Sequence, residues 1–486
     1  MLTSIRTAIH DTLRIDGRHH RWLSEHRPFL IALTTGVALR VVVQLAFTPA
    51  LIFSDGPLYL SFLDTFEPRD DRPAGYGLLL LYPLSWITDN VLAVVVTQHL
   101  MGLTTAVLMY SLLRRWGVGR WPATLATMPV LFDALQLLLE HSAHSDTLFE
   151  LLLMLAMLVL GWRRRPTPGL ALAAGLLLGA SATVRLVGEA LVLAGVAYCL
   201  FVGDGWRRRL AATAALALGF ALPVGAYATW YHSERGSYAL AEFGGKSLYL
   251  RTTTFVDCSR LSVPDYQRVL CPVEPLGQRL EPTYYVWHDE RTLPRLKPPP
   301  GTKPDQAMRE FAVGAIREQP ADYALIVLRD FALNFDPWRT DRFEYDTADK
   351  WKFSRYLDVE ASELTIDAYD EHGGEQLAAH QPYANALIAY QGVGYLPGPL
   401  LLGCLALGLA GGLGIGQARK SGLRSICLLM TLTGTGLLLV PDFTAEFTWR
   451  YQLPALLLLP AGAALGYTAL RGGQLDAGTP ATARTD

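Results

Sequence analysis

Apolar and polar positions alternate along this chain in long blocks. Ten apolar stretches fall at roughly 29–48, 90–112, 121–139, 146–162, 168–186, 188–203, 210–230, 393–415, 425–441 and 452–470. A helix of about 20 residues crosses the hydrocarbon core of a bilayer, so each stretch is predicted to span or nearly to span one. The segment 73–88 is apolar but shorter, and counting it as a span would invert every later loop. It is therefore expected to be a helix lying on the membrane surface. Within the long stretch 231–391, Ala307–Ile316 and Tyr323–Phe335 carry helix-like spacing of apolar positions, and little strand is expected.

The polar residues between these blocks set an orientation. One set of alternate loops holds Arg114, Arg115 and Arg120, then Arg163 to Arg165, Arg207 to Arg209, and Arg419, Lys420 and Arg424. The opposite short loops (49–74, 140–145, 187 and 442–451) hold only Arg69, Arg72 and Arg450, with Arg185 at a span end. Basic residues near span ends resist translocation, so the basic loops and both termini are expected in the cytoplasm. The resulting organisation is a cytoplasmic tail (1–28) and a seven-helix membrane module (29–230) with outer loops at 49–89 and 140–146. An extracytoplasmic domain (231–391), a three-helix module (392–470) and a cytoplasmic tail (471–486) follow. The first 28 residues carry five Arg and no apolar run, unlike a cleavable signal peptide.

Composition agrees: 51% of the 486 residues are hydrophobic and only 18% charged, with a mean hydropathy of +0.23. These values exclude a disordered chain and disfavour a soluble enzyme. The near balance of 42 basic and 44 acidic residues gives no reason to expect a nucleic-acid partner. The fold class expected is an all-α polytopic membrane protein of about ten transmembrane helices with a mainly helical extracytoplasmic domain. Of five cysteines, only Cys258 and Cys271 fall outside the spans, and in an oxidising compartment they are expected to pair. No CxxC pair is present, and no full G-x-x-x-x-G-K-[ST] phosphate loop, since Leu240 stands where Gly245-Lys246-Ser247 would need its first glycine; this disfavours a nucleotide-driven pump.

Candidate chemistry collects at the outer ends of the spans. Asp55 follows the first span in the turn Ser54-Asp55-Gly56-Pro57, where partial desolvation would make it a base; the same carboxylate would equally serve as a turn cap. The second outer loop, Glu140-His141-Ser142-Ala143-His144-Ser145-Asp146, is dense in polar groups for a connection between two spans. Ser145 or Asp146 would also suit an N-cap, while His141, His144 and Asp146 form only a weak metal-ligand pattern. Arg40, Arg185 and Arg450 lie in or beside apolar segments, and a guanidinium there needs a partner. A phosphate matches its fork; internal pairs such as Arg185 with Glu189 or Arg450 with Glu446 are the alternative, and Arg40 would pair with loop carboxylates.

These features together resemble the integral-membrane glycosyltransferases of the GT-C superfamily, in particular the bacterial branch that uses polyprenyl-phosphate sugars and includes protein mannosyltransferases and the lipid A aminoarabinose transferase. The resemblance rests on Arg40 to Asp55, Arg72-Pro73-x-Gly75-Tyr76, Glu140 to Phe149, Val184-Arg185 and Glu446-x-x-x-Arg450-Tyr451, in order along most of the chain. The run Gly244 to Arg251 through Asp257-Cys258-Ser259 resembles actinobacterial members. What it implies is an inverting transfer from a polyprenyl-phosphate-linked sugar to an acceptor hydroxyl, with Asp55 as general base. A second carboxylate assists, Glu140 first and Asp146 second. Arg185, Arg450, Lys246 and Arg251 would bind the donor phosphate, and Tyr59, Tyr76 and His141 the sugar or acceptor. Members with Asp-Glu at the first position differ from Asp55-Gly56 here, so Asp64, Asp70 or Asp71 could supply the second carboxylate. The acceptor class stays open among lipid, glycan, protein and secreted natural product. No cofactor or metal is expected. A transporter or flippase for a lipid-linked substrate, or a lipid-linked glycan ligase, is the competing reading.

Overall fold

The computed structural model describes residues 2–339, 349–354, 363–372 and 378–472. The chain is an all-α polytopic membrane protein. Among the described residues the named strands are Phe47–Thr48 and Ala378–Ala379, paired antiparallel. Five helical segments are long and apolar enough to cross a membrane: Trp22–Ala46, Val91–Arg115, Trp206–Arg235, Arg424–Thr444 and Trp449–Leu470. Arg120–Phe132 and Ala134–Glu140 make a sixth if taken as one span bent by 52°. The other expected stretches form shorter helices, Asp146–Leu160, Pro168–Val184, Leu186–Phe201 and Gly398–Leu413.

The first helix, α1 (Leu2–Ala46), runs without a break through the expected tail. The expected C-terminal tail lies, beyond Gly472, outside the described residues. The bend in the span pair has a local cause. Pro129 sits in the last turn of α2 (Arg120–Phe132), and extended Asp133 ends that helix while capping α3 (Ala134–Glu140), accepting from the Leu135 amide at 2.9 Å. The break leaves the carbonyls of Val130 and Leu131 without their usual helical donors. Arg40 of α1 donates to both, at 3.1 Å each. A buried guanidinium thereby completes the hydrogen bonding of a broken helix.

Between α4 (Pro168–Val184) and α5 (Trp206–Arg235), glycine permits backbone contact. A Cβ on Gly175 would stand 2.2 Å from the carbonyl oxygen of Leu216, and one on Gly219 2.3 Å from that of Leu172. Such close packing is how helices associate where lipid removes the hydrophobic drive. Outward-facing Leu193, Phe201, Leu218 and Leu400 are exposed, as expected of a lipid-facing surface.

A separate apolar core, including Tyr249, Leu270, Tyr285, Phe311 and Ile326, holds together the region between the seventh and eighth expected spans. Its helices Pro304–Glu318 and Pro320–Leu333 match the two segments read from the sequence. The disulfide Cys258–Cys271 is formed. The expected surface helix at 73–88 begins as a π-turn, Gly77–Leu81, and continues as Tyr82–Ser85.

Candidate active site

Two loops that follow different helices are tied together by backbone hydrogen bonds. The Leu51 amide donates to the His141 carbonyl at 3.0 Å, and the Ala143 amide to the Leu51 carbonyl at 3.3 Å. This bridge brings the segments carrying Asp55 and Asp146 side by side. Ser54 takes a positive φ of 54°, turning the chain so that Asp55 stands at the start of the short helix Gly56–Leu60. Its side chain makes no cap hydrogen bond, so the capping role is not where this carboxylate is spent. It is held instead by Arg72 Nη1 at 2.8 Å and Arg450 Nη1 at 2.5 Å.

Asp146 opens the helix Asp146–Leu160, and neither it nor Ser145 donates or accepts a cap bond there. Its oxygens meet Arg450 through Nη2 at 2.6 Å and Nε at 3.0 Å, and Arg185 Nη1 closes on the same carboxylate. Arg185 reaches it from the extended residue that ends α4, Arg450 from the turn Trp449–Gln452. Arg72 also holds Asp71, itself paired with Arg69, so three carboxylates interlace with four guanidinia, leaving an excess of one positive charge. Four distant chain segments supply them. Burial by itself would raise the Asp55 carboxyl, but Arg72 and then Arg450 hold it well below the usual carboxylate range.

The pairings of Arg185 with Glu189 and Arg450 with Glu446 are not made; both arginines turn to Asp146. Glu446 is buried, and its carboxyl is pushed up to about 8 by loss of solvent and then by the nearby charge of Glu281.

Glu140, the first choice for the second carboxylate, belongs to another network. Arg40 grips it with two hydrogen bonds of 2.6 and 2.7 Å, His99 Nδ1 lies at 2.9 Å, and Gln136 donates at 3.1 Å. Gly102 makes room for it, since a Cβ there would lie 1.8 Å from its Oε1. His141 is used in the same interior, its Nε2 on the Phe47 carbonyl at 2.5 Å and its Nδ1 3.2 Å from His99. The structure therefore groups Asp146, not Glu140, with Asp55. Both expected tyrosines lie between the two networks. Tyr59 shares a hydrogen bond with Ser145 at 2.8 Å and lies under the Arg72 guanidinium, while Tyr76 donates to Gln98 at 2.8 Å.

Two of the four expected phosphate ligands are engaged elsewhere. Arg251 is buried against Asp330 at 2.6 Å and the Asp442 carbonyl at 3.2 Å. Its charge thereby ties the region 231–391 to the helix Arg424–Thr444. The ammonium of Lys246 lies over the Trp287 ring. Of the substitute carboxylates, Asp71 pairs with Arg69 and Arg72, Asp70 accepts from Tyr231, and Asp64 is exposed.

Sequence reasoning passed over three members of the site. Arg72 was read as a loop charge and as part of the segment Arg72-Pro73-x-Gly75-Tyr76, with no role in the site, although the run Arg69-Asp70-Asp71-Arg72 marks it as ion-paired. Trp351, 5.2 Å below the Arg450 guanidinium, carried no local signal. His144 was read only as part of a weak metal pattern; it packs beside Phe53 and Trp351 next to the ion cluster.

No protein-family model and no curated protein sequence matches the chain. Among solved structures, the S. cerevisiae protein O-mannosyltransferase Pmt1–Pmt2 complex bound to the sugar donor aligns over 53% of this chain and 38% of the matched chain. Identity is 15% and the TM-score 0.34, a likeness that carries no argument.

Proposed function

We propose that this protein is a membrane glycosyltransferase that moves a sugar from a polyprenyl-phosphate donor to an acceptor hydroxyl on the extracytoplasmic face, with inversion. The observation that carries this reading is the interlaced cluster of Asp55 and Asp146 with Arg72, Arg185 and Arg450. Its excess positive charge suits a phosphate, whose oxygens match guanidinium forks.

In the proposed reaction the acceptor oxygen attacks the anomeric carbon, and the bond from that carbon to the phosphate oxygen breaks with its electron pair leaving on the phosphate. The acceptor proton passes to Asp55. The guanidinia of Arg450 and Arg185 stabilise the charge on the leaving phosphate, so no acid is needed. Without donor, Arg72 and Arg450 keep Asp55 a weak base. A donor phosphate competes for Arg450 and withdraws one of the two charges that depress the carboxyl, leaving Arg72, so basicity rises in part when substrate is present. Asp146 holds Arg185 and Arg450 in register and supplies the assisting carboxylate.

The test is release of polyprenyl phosphate from a panel of radiolabelled polyprenyl-phosphate sugars by the purified protein in nanodiscs, with a cell-envelope extract as acceptor source. Release by the wild type and not by Asp55→Asn is the expected result. A folded protein that releases nothing from any donor overturns the reading in favour of transport.

A further inference from the structure

Among the described residues of the site, His144 is a side chain with both of its polar atoms, Nδ1 and Nε2, left without a hydrogen-bond partner. It is wholly buried. A buried polar group left unpaired loses its hydration without compensation, so such a group in a tightly packed site points to a missing partner. Desolvation and the nearby charge of Arg450 press its imidazole down to about 3, so the ring is neutral at physiological pH. A neutral imidazole offers one donor and one acceptor. That pair suits a hydroxyl, which both gives and takes a hydrogen bond, and suits a phosphate poorly.

The walls around it are aromatic. The Phe53 ring lies 5.0 Å from the imidazole and the Trp351 indole 6.0 Å from it, edge-on. The indole also faces the Arg450 guanidinium, and among the described residues its own Nε1 has no partner. Asp55, Asp146, Arg185 and Arg450 all act electrostatically on His144, so the ring lies near four charged groups of the cluster. A donor has three parts to place: phosphate, reacting carbon and the rest of the sugar. The guanidinia take the first and Asp55 faces the second; the remaining part is neutral, hydroxyl-bearing and apolar on its C–H faces.

We propose that His144, Phe53 and Trp351 form the subsite for the transferred sugar ring, with the imidazole hydrogen-bonded to a ring hydroxyl and the aromatic groups against its C–H face. This rests on the transferase reading above.

The experiment compares two ligands that differ only in the sugar. Affinities of the nanodisc-embedded protein are measured for polyprenyl phosphate and for whichever of polyprenyl-phosphate mannose, glucose or arabinose the wild type turns over. His144→Ala is expected to weaken the sugar-bearing ligand about tenfold, the worth of one hydrogen bond, and to leave polyprenyl phosphate within about twofold. His144→Gln, which keeps a donor and an acceptor, recovers part of the loss. Trp351→Ala shows the same sugar-selective loss and carries the test if His144→Ala does not fold. Equal weakening of both ligands, or none, overturns the subsite while leaving the transferase reading standing. Absence of turnover with all three donors overturns both.

Discussion

Asp55 shows how neighbours decide what a carboxylate is for. A side chain between two guanidinia is ionised far into acid and is a poor base until one of them is drawn away. General-base groups contribute typically about 10²–10⁴-fold, so Asp55→Asn is expected to lower the transfer rate by about that factor while polyprenyl-phosphate binding persists. Steady-state transfer rates and an equilibrium binding assay check both halves. Glu446 illustrates the opposite shift. Its folded-state value is raised to about 8 by burial and by Glu281, so the folded protein binds a proton there that the unfolded chain releases at much lower pH. Stability from this group is therefore greatest in acid and is lost as pH rises toward and through about 8. Glu446→Gln should raise the melting temperature above pH 8 and change it little at pH 5; an equal effect at both would refute the assignment.

Between elements, buried polar pairs do the joining. Arg40 spends its donors on Glu140, on its own helix at Gly36 and on the two carbonyls released by the break at Asp133. Removing one partner of a buried pair costs about 3–5 kcal/mol, more than replacing both by apolar groups of similar volume. Arg40→Met is thus expected to lower the melting temperature sharply, and adding Glu140→Leu should recover part of that loss. Thermal unfolding of the single and double variants in one detergent decides it. The disulfide acts on a different element, closing the loop between Cys258 and Cys271 beside the core around Tyr249 and Phe311. Its removal should cost about 3 kcal/mol in the chain-entropy account. Proteolysis of Cys258→Ser should quicken within 243–326 and not within the membrane helices.

Across the whole molecule, the site is assembled from the first outer loop, the second, the end of α4 and the turn before the last helix. Ligand at that junction links all four segments, so polyprenyl phosphate should raise the melting temperature of the full chain in proportion to the logarithm of its concentration. Arg450→Ala should abolish that rise, since Arg450 bonds both carboxylates. The apolar blocks, the helices Pro304–Glu318 and Pro320–Leu333, and the pairing of Cys258 with Cys271 were all legible in the sequence, because each follows from local periodicity or from a unique candidate partner. Asp55, Asp146, Arg185 and Arg450 were legible too, as charges whose cost beside apolar segments demands an explanation. What the sequence left undecided was pairing. Glu140 and Asp146 stand six positions apart in one loop, yet α1 claims the first and the turn before the last helix claims the second. Arg251 looked like a phosphate ligand and is closed by Asp330; Arg72 and Trp351 gave no local sign of their places beside Asp55 and Arg450. Where the apolar blocks fall and which charges need partners follow from composition and helical period, which are local properties of the chain. Which partner each charge receives is set by the fold, because it depends on segments up to hundreds of residues apart, such as Asp55 and Arg450, meeting in one dry interior.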